Sequence, residues 1–533
     1  MTPSRSTLAS PEAGVATAER AEHGNVAGDL AALAERRGWT ARPAFRQGHQ
    51  VWTHGEVHDL ARRTATVLAD HGVGPGDRVL LALPDSITWV TAFLGAARLG
   101  AVAVLANPEL TPAEHEFMAD DAAVALCVTG PGLEDRFAAR RRLGADQLLA
   151  LAPTATPTAA CRPAGPRTPL YIQYTSGTTG RPKGVVHCHG DPATYHALIG
   201  ERLLRITPAD VALSVSKLYF AYGFGNAFVF PLFSGSSAVL VDRRPSPAAV
   251  DELVARHRVT LMYSVPSAYA ALVTDRGDGG HAACFASVRA AVSAGEGMPA
   301  GLGEQVTELL GAPVLEQIGS TEAGHAFCAN SLTHHTPGTV GRPVPGYEVE
   351  LRDRAGRPVA EGSEGDMWVR GPTVTPGYLN LPEETARTLV GGWLATRDRA
   401  RREPDGSYRH LGRADDMEMV GGITVSPLEV EEVLRAHPAV REVAVAAVTD
   451  DRGATRLRAF VVTSTDTTDT IDATAADDTT DTTVATRIEA ALIALARTRL
   501  APFKVPRTVT VVRSLPRTST GKLRRHLVRQ GTW

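Results

Sequence analysis

The first feature of the chain is an alternation of short apolar runs with amphipathic segments, from about residue 26 to residue 410. Ser246-Pro247 predicts a helix start, because serine caps free amide groups and proline fits the first helical turn. The run Val259 to Val265 predicts the next strand, and Pro313 to Ile318 predicts another strand after a helix that ends near Gly311. This alternation favours an α/β fold of mostly parallel sheets, in which ligands bind beyond the carboxyl ends of strands.

The alternation of apolar runs and amphipathic segments gives way to a charged stretch near Gly412. After it, Ser426-Pro427-Leu428-Glu429 predicts a capping box at the start of a new helix. We therefore predict a domain boundary here, and 533 residues are in any case too many for one simple core. The predicted parts are a disordered tail (1–25), a large N-terminal domain (26–411) and a small α+β C-terminal domain (412–533). The Thr/Asp/Ala-rich segment 463–483 is predicted to be a flexible insertion between a strand and a helix that starts near Val484.

Composition and charge narrow the function classes. A net charge of −3, with 43% hydrophobic and 21% charged residues, is ordinary for a globular protein and argues against a nucleic-acid partner. The longest apolar stretch, Trp89 to Ala106, is interrupted by Arg98 and Gly100, so it predicts a buried helix and strand rather than a membrane span. Five scattered cysteines without a CxxC pair, and no signal-peptide pattern at the start, indicate the cytoplasm.

The most informative segment combines hydroxyls, glycines and a lysine after the apolar run Leu170 to Gln173. Glycine lets backbone amides turn inward around an anion, hydroxyls add donors, and lysine adds charge. The segment is not a Walker A loop, because Pro182-Lys183 stands where that motif has Gly-Lys. A plain flexible turn is the alternative. The residues expected to hold a triphosphate are Thr175, Ser176, Gly177, Thr178, Thr179 and Lys183.

The string Tyr174 to Gly184 resembles the signature loop of the adenylate-forming superfamily, which comprises acyl- and aryl-CoA ligases, adenylation domains and luciferases. The resemblance runs from about residue 45 to the C-terminus and includes Asp77-Arg78-Val79. It implies a large domain with a small β-barrel-like subdomain that binds ATP and an aryl acid, followed by a mobile lid domain. It also implies ATP and Mg²⁺ as cofactors and coenzyme A as co-substrate.

The resemblance assigns further nucleotide contacts. Thr321 would contact phosphate and Glu322 would place Mg²⁺, a cation that prefers oxygen ligands; a bare helix cap is the alternative. Asp398 would bind the ribose hydroxyls, although Arg397 stands where the family usually has glycine. The loop Gly295-Glu296-Gly297 would flank adenine, or be an ordinary turn. The remaining expected nucleotide contacts are Ile318, Gly319, Ser320 and Arg413.

The C-terminal domain is expected to supply the catalytic cation. Lys522, in a Thr-Gly-Lys context, resembles the lysine that bridges the acid carboxylate and the α-phosphate. The hinge is expected at residues 413–416, with Asp415 at its centre, and a charged linker is compatible with this role. Gly421 and Gly422 would then leave room for a pantetheine tunnel in the second half-reaction.

The segment Lys217 to Asn226 resembles the benzoate–CoA ligase branch specifically. By that resemblance Phe220 gates the acid pocket, and flat aromatic walls suit a single ring; a core strand is the alternative. The other expected pocket residues are Ala221, Tyr222, Gly225, Ile318, Gly324 and His325. His187-Cys188-His189 is not expected to bind metal, because neighbours on a strand face opposite sides.

The predicted function is that of an AMP-forming aryl-acid:CoA ligase, acting on benzoate or a hydroxy- or aminobenzoate. One alternative is an adenylation enzyme that loads a carrier-protein phosphopantetheine, and another is an inactive nucleotide-binding homologue. The expected partners are an aromatic acid and coenzyme A or a carrier protein, with no nucleic acid and no membrane. The chain is expected to be a monomer or a homodimer.

Overall fold

The computed structural model describes residues 24–175, 182–275, 283–299, 301–413, 416, 418–420, 423–449, 455–464, 478–517, 523–531 and 533. Among these residues, no helix is both long enough and apolar enough to cross a membrane. All five cysteines are free thiols.

The strands and helices are numbered along the chain. The strands are β1 (Pro43–Gln47), β2 (Gln50–Thr53), β3 (Arg78–Ala82), β4 (Val102–Ala106), β5 (Leu126–Thr129), β6 (Arg142–Gly144), β7 (Pro169–Thr175), β8 (Lys183–Cys188), β9 (Val211–Ser214), β10 (Ser237–Val239), β11 (Leu261–Ser264), β12 (Ala290–Ser293), β13 (Val314–Gly319), β14 (Ala326–Ala329), β15 (Arg342–Pro343), β16 (Glu348–Arg352), β17 (Glu364–Arg370), β18 (Leu389–Val390), β19 (Trp393–Arg402), β20 (Tyr408–Arg413), β21 (Glu418–Val420), β22 (Ile423–Val425), β23 (Val440–Thr449), β24 (Thr455–Thr463) and β25 (Thr508–Val511). The α-helices are α1 (Val26–Arg36), α2 (His54–Asp70), α3 (Ile87–Leu99), α4 (Pro112–Asp121), α5 (Ala145–Leu151), α6 (Asp191–Tyr195), α7 (Ala221–Phe224), α8 (Phe230–Ser234), α9 (Pro247–His257), α10 (Pro266–Thr274), α11 (Leu302–Leu310), α12 (Pro382–Thr388), α13 (Pro427–Arg435), α14 (Asp478–Arg499) and α15 (Arg525–Gln530).

The first large sheet has six strands in the order β6-β5-β3-β4-β7-β8, parallel except for β8. Its central helix α3 begins after Ser86, whose side chain accepts a hydrogen bond from Trp89 N, and ends at Gly100 with φ of 73°. Every residue of α3 up to Arg98 is buried, and β4 follows directly. The prediction of a buried helix and strand at this position is therefore confirmed.

The second large sheet has nine strands in the order β15-β14-β13-β12-β11-β9-β10-β1-β2. The six strands from β1 to β13 in this order run parallel, whereas β2, β14 and β15 are antiparallel additions. Ser246 caps α9 by accepting a hydrogen bond from Ala249 N, as predicted. Helix α11 ends at Gly311, and β13 follows. The α/β fold of mostly parallel sheets is confirmed.

A five-stranded antiparallel sheet, β16-β17-β19-β18 with β20 paired to β19, follows the two large sheets. This sheet is the part of the chain that corresponds to the small β-barrel-like subdomain implied by the family resemblance. The chain then forms a smaller α+β unit. Its three-stranded sheet β23-β24-β25 packs on α13 and α14 through a core that includes Leu434, Val461 and Leu492.

Two sequence predictions about this unit were wrong in detail. Ser426 precedes α13 but makes no side-chain cap; its hydroxyl instead donates to the Leu411 carbonyl at 2.7 Å. Glu429 does not complete the predicted box, because Lys504 Nζ binds both of its carboxylate oxygens at 2.6 Å. Helix α14 begins at Asp478, inside the segment predicted to be a flexible insertion. Acidic residues in a first turn are favoured by the helix dipole, which explains the earlier start.

Candidate active site

The loops of the site converge because they follow parallel strands of one sheet. Register pairs Ser264 with Ser293 and Ser293 with Glu316, so β11, β12 and β13 end along a common edge. The expected adenine loop follows β12, and the Thr321 turn follows β13. The segment expected to bind the acid follows β9. The six-stranded sheet joins it through the Gln173 side-chain amide, which donates to the Tyr219 carbonyl at 3.4 Å. The topology therefore brings distant sequence motifs into one cleft.

The two ends of the phosphate loop lie opposite each other. Thr175 is the last residue of β7 and pairs with Lys183, the first residue of β8. The residues between them that were expected to hold phosphate, Ser176, Gly177, Thr178 and Thr179, lie outside the described residues. The two described flanks of the expected loop therefore lie side by side as an antiparallel pair.

Glu384 of α12 binds the lysine of this loop. Its Oε1 accepts a hydrogen bond from Lys183 Nζ, and only 9% of each side chain is exposed. Arg387 binds the other oxygen, Oε2, at 2.7 Å. The hydrogen bond from Lys183, supported by Arg387, lowers the pKa of the Glu384 carboxyl to about 2. Lys183 Nζ also lies 5.3 Å from the ring centre of Tyr378.

Thr321 and Glu322 lie in a short 3₁₀ turn, Thr321–Ala323, at the end of β13. Ser320 caps the turn by accepting a hydrogen bond from Ala323 N at 3.2 Å, so the helix-cap alternative and the family motif coexist here. Glu322 Oε1 accepts a hydrogen bond from the Tyr378 hydroxyl at 2.9 Å. The tyrosine ring beside Lys183 thus also orients the carboxylate expected to place magnesium.

His187 holds this turn from the neighbouring sheet. Its Nε2 contacts the Thr321 carbonyl at 2.7 Å, and its Nδ1 contacts Asp191 Oδ2 at 2.9 Å. The ring is fully buried and stacks on Tyr171 at 5.0 Å. Both ring nitrogens of His187 are therefore engaged by protein oxygens. We assign His187 a positioning role behind Thr321.

The expected ribose aspartate is buried in the antiparallel sheet. Asp398 Oδ1 accepts a hydrogen bond from His410 Nε2 at 3.2 Å, and Arg413 is its cross-strand neighbour. Burial disfavours the charged form, but the hydrogen bond from His410 and the charge of Arg413 outweigh it, so the pKa of Asp398 lies below its ordinary value. A charged carboxylate can accept hydrogen bonds from a ribose diol.

Arg397, the departure from the family pattern, directs its side chain to Glu384 of α12. Its backbone has φ of 63°, the left-handed region where glycine is usual. Its guanidinium points to Glu384, with Nη2 3.2 Å from Oε1. Gly295, of the expected adenine loop, also has a positive φ, 90°, and directly follows the buried Ala294. The other two residues of that loop are Glu296 and Gly297, which also follow the end of β12.

The residues expected to bind the acid lie around α7. Phe220 precedes this helix, is half-buried and packs edge-on against Tyr219 at 4.6 Å. The Tyr222 hydroxyl donates to the Val292 carbonyl at 3.0 Å, which fixes the ring against β12. The Tyr222 ring lies 6.0 Å from that of His325, which is buried and immediately precedes β14. Ala221 and Ile318 are partly buried, and Ile318 packs against the main hydrophobic core.

Three glycines of this region are required by close packing. A Cβ on Gly225 would lie 2.6 Å from His325 Nε2, and closer still to Cδ2. A Cβ on Gly319 would lie 2.8 Å from Ala326 Cα. Gly324 has φ of 77°, so the backbone itself favours glycine there, and a Cβ would approach His187 Cε1 at 3.2 Å. The absence of side chains at these positions keeps His325 and the Thr321 turn in place.

Several predicted residues of the C-terminal part, Asp415, Gly421, Gly422 and Lys522, lie outside the described residues. The segment that carries Lys522 is closed at its base, because Arg517 and Leu523 form an antiparallel bridge and Arg524 N donates to Pro516 O at 2.8 Å. The roles of Asp415, Gly421, Gly422 and Lys522 remain predictions.

Sequence reasoning missed Glu384, Tyr378, Asp191 and His410. None lies in a glycine-rich or otherwise recognisable motif, and Glu384 is 201 positions from the lysine that it binds. The only local signal was Tyr378 followed by Pro382-Glu383-Glu384, an ordinary helix start with first-turn acids.

The residues present fit a magnesium nucleotide. No group of three or more His, Cys, Asp or Glu side chains among the described residues is arranged to hold a metal by itself. Magnesium instead commonly binds one or two carboxylates together with substrate phosphates, which matches the single oriented carboxylate of Glu322. Tyr378 contacts both Lys183 and Glu322, so the lysine and this carboxylate lie on the same side of the site.

Comparison with known proteins agrees with this geometry. Residues 33–379 match the AMP-binding enzyme family model, and residues 429–522 match the AMP-binding enzyme C-terminal domain. The p-hydroxybenzoic acid–AMP ligase FadD22 of Mycobacterium tuberculosis (strain CDC 1551 / Oshkosh) is 40% identical over 509 residues, covering 95% of this chain and 69% of that protein. Benzoate–CoA ligase of Thauera aromatica is 34% identical over 528 residues, covering 95% and 96%.

Solved structures show the same fold. The benzoate CoA ligase from Burkholderia xenovorans LB400 superposes with a TM-score of 0.85 at 35% identity, covering 95% of this chain and 99% of that chain. ATP-bound MatB from Rhodopseudomonas palustris gives 0.83 at 27% identity, covering 96% and 99%. The chain therefore belongs to the AMP-binding, adenylate-forming enzymes, in the branch that contains the benzoate–CoA ligases.

Proposed function

We propose that the chain activates a ring-hydroxylated benzoate with ATP and Mg²⁺ and transfers the acyl group to coenzyme A. In the first step a carboxylate oxygen attacks the α-phosphorus, the bond to pyrophosphate breaks, and an acyl-adenylate forms. In the second step the thiol displaces AMP. A carboxylate is a poor acyl donor because its leaving group would be oxide, and AMP removes that obstacle.

Both reactants of the first step are anions, so cations placed between them lower the barrier. Lys183 lies at the phosphate loop, and Glu322 would hold the magnesium that neutralises phosphate charge. Lys522 would bridge the acid carboxylate and the α-phosphate. We propose that residues 412–533 form a lid that carries Lys522, turns at a hinge near Asp415 and presents Gly421 and Gly422 for thioester formation.

The observation that supports a ring hydroxyl is a set of buried polar atoms around Tyr222. Burial lowers the pKa of His325 to about 3, so the ring is neutral at physiological pH. Its Nε2 donates to Asn226 Oδ1 at 3.2 Å, which leaves Nδ1 as an acceptor, and no protein atom of the described residues hydrogen-bonds Nδ1. Ser293 Oγ, next to the carbonyl that Tyr222 binds, is likewise buried without a partner there.

A ring hydroxyl can donate to His325 Nδ1 or accept from Ser293 Oγ, whereas unsubstituted benzoate can do neither. A buried unsatisfied polar atom costs about 1–3 kcal/mol. The mycobacterial relatives at 40% identity are named p-hydroxybenzoic acid ligases, which supports the same substituent.

The test is ATP–pyrophosphate exchange with benzoate and its hydroxy- and amino-derivatives at each ring position. One hydroxybenzoate should exceed benzoate in kcat/KM by about 5–140-fold, from about 1–3 kcal/mol at 1.4 kcal/mol per tenfold. His325→Phe should remove this discrimination while leaving KM for ATP unchanged. A preference for benzoate would contradict the hydroxyl assignment, and no exchange with any aryl acid would support an inactive homologue.

Coenzyme A is the proposed acceptor because relatives covered over 96% of their length, such as that of Thauera aromatica, are named CoA ligases. A carrier-protein phosphopantetheine is the second candidate, favoured by the name acid–AMP ligase of the 40% identical relatives. Release of AMP with free coenzyme A and with a phosphopantetheinylated carrier distinguishes them. Saturation by free coenzyme A at sub-millimolar concentration supports the first acceptor, and turnover only with the carrier supports the second.

A further inference from the structure

Arg397 occupies a backbone position that favours glycine. It lies in β19 immediately before Asp398, and its φ of 63° is in the left-handed region. Glycine adopts this conformation without steric conflict, whereas a side chain with a Cβ does not. An arginine at this position therefore carries a backbone strain that a glycine would relieve.

The side chain of Arg397 reaches the lysine of the phosphate loop through one shared oxygen. Its Nη2 lies 3.2 Å from Glu384 Oε1, the same atom that accepts the hydrogen bond from Lys183. The Arg397 side chain is 34% exposed, whereas those of Glu384 and Lys183 are each 9% exposed. Arg387 binds the opposite oxygen of the carboxylate. One buried carboxylate is thus shared by three cations.

This sharing matters when ATP binds. Without Arg397, turning the charge of Lys183 to the triphosphate would leave Glu384 Oε1 without a partner and only Arg387, on Oε2, to balance a buried carboxylate, which is unfavourable. Arg397 already contacts the same oxygen, so it can keep Glu384 Oε1 paired when Lys183 turns to the triphosphate. It therefore lowers the free energy needed to release the lysine.

Arg397 also connects the two ends of the expected nucleotide site. It is adjacent in sequence to Asp398, the expected ribose ligand, and its guanidinium binds the carboxylate that holds Lys183. A glycine at this position has no guanidinium and could not bind Glu384. We propose that Arg397 is a positioning residue for ATP, which keeps Glu384 paired while Lys183 engages the triphosphate. The inference rests on the proposed triphosphate contact of Lys183.

The test compares Arg397→Gly and Arg397→Lys with the wild-type full chain. Isothermal calorimetry with MgATP in the absence of any acid gives the dissociation constant, so the result does not depend on the acid substrate or on turnover. Arg397→Gly should weaken ATP binding by about tenfold, the usual scale of one lost charged hydrogen bond. Arg397→Lys, which keeps the charge, should recover part of this loss.

Arg401→Gly is the matched control. It lies on the same strand, and its Nη2 is also 3.2 Å from a carboxylate, that of Glu403, which does not contact Lys183. This variant should leave ATP affinity unchanged. In an E384Q background, Arg397→Gly should have no further effect, because the shared carboxylate is gone.

Two results would overturn the inference. One is wild-type ATP affinity in Arg397→Gly, which would show that the arginine only ties β19 to α12. The other is an equal loss in Arg397→Gly and Arg401→Gly, which would show a general charge effect. Absence of acid-dependent pyrophosphate exchange in the wild type, with ATP affinity lost in Arg397→Gly alone, would reject the proposed function and retain this inference.

Discussion

Replacing Gly225 by alanine tests whether the His325 ring forms a wall of the acid pocket. The added Cβ would lie 2.6 Å from His325 Nε2, well inside van der Waals contact. The ring cannot easily move away, because Tyr195 stacks on it at 5.6 Å and Phe230 packs at 5.1 Å. Its hydrogen bond to Asn226 Oδ1 would also be broken by a displacement.

The magnitude follows from overpacking of a close-packed interior, which costs about 1–3 kcal/mol. Alanine has a better helix propensity than glycine by up to about 1 kcal/mol, and Gly225 begins a helical segment, so part of the stability loss is offset. Tyr195 and Phe230 pack against the ring, so we expect a displaced ring to enter the space proposed for the acid. We therefore expect Gly225→Ala to reduce the free energy of acid binding more than the free energy of unfolding. The KM for the acid should rise by about 10–100-fold.

The assay is pyrophosphate exchange with the preferred hydroxybenzoate, with KM for acid and for ATP determined separately. Gly303→Ala is the control, because it lies in α11 and its added Cβ would meet only Met298 Cγ at 3.9 Å. Adding His325→Ala should relieve the effect of Gly225→Ala, since the clashing ring is removed. A folded Gly225→Ala protein with unchanged KM for the acid would refute the placement of His325 in the pocket.

Three further changes test other parts of the structure. Lys522→Ala should abolish adenylate formation but spare thioester formation from supplied acyl-adenylate; equal loss of both steps would contradict the lid proposal. Tyr378→Phe removes the hydrogen bond to Glu322 Oε1 and should raise the magnesium concentration needed for half-maximal exchange several-fold, with KM for the acid as the control. Burial raises the pKa of Glu316 from 4.5 to about 7, so the folded chain holds a proton that the unfolded chain has released. Stability to urea should therefore fall as pH rises from about 4.5 through 7, by up to about 3 kcal/mol from this group, and Glu316→Gln should abolish that part of the change.

Local patterns in the sequence determined much of this protein. The apolar run from Trp89 to Ala106 specified a buried helix and strand. Its apolar pattern and the helix end at Gly100 are set by residues that are neighbours in the sequence. Ser246-Pro247 specified the start of α9 for the same reason. The glycine and hydroxyl string of the phosphate loop identified the family, because its spacing serves one chemical task.

Tertiary structure alone decided which side chains act together. Ser426 lost its predicted cap because the Leu411 carbonyl, brought near by folding, competes for its hydroxyl. Glu384 bears no mark of function in the sequence, yet folding places it against Lys183 and Arg397. Such pairs depend on the free energy of burying charges together, which is set by the packing of distant elements rather than by adjacent residues. A one-dimensional pattern therefore revealed the motifs, and only the packed sheets revealed the carboxylate that connects them.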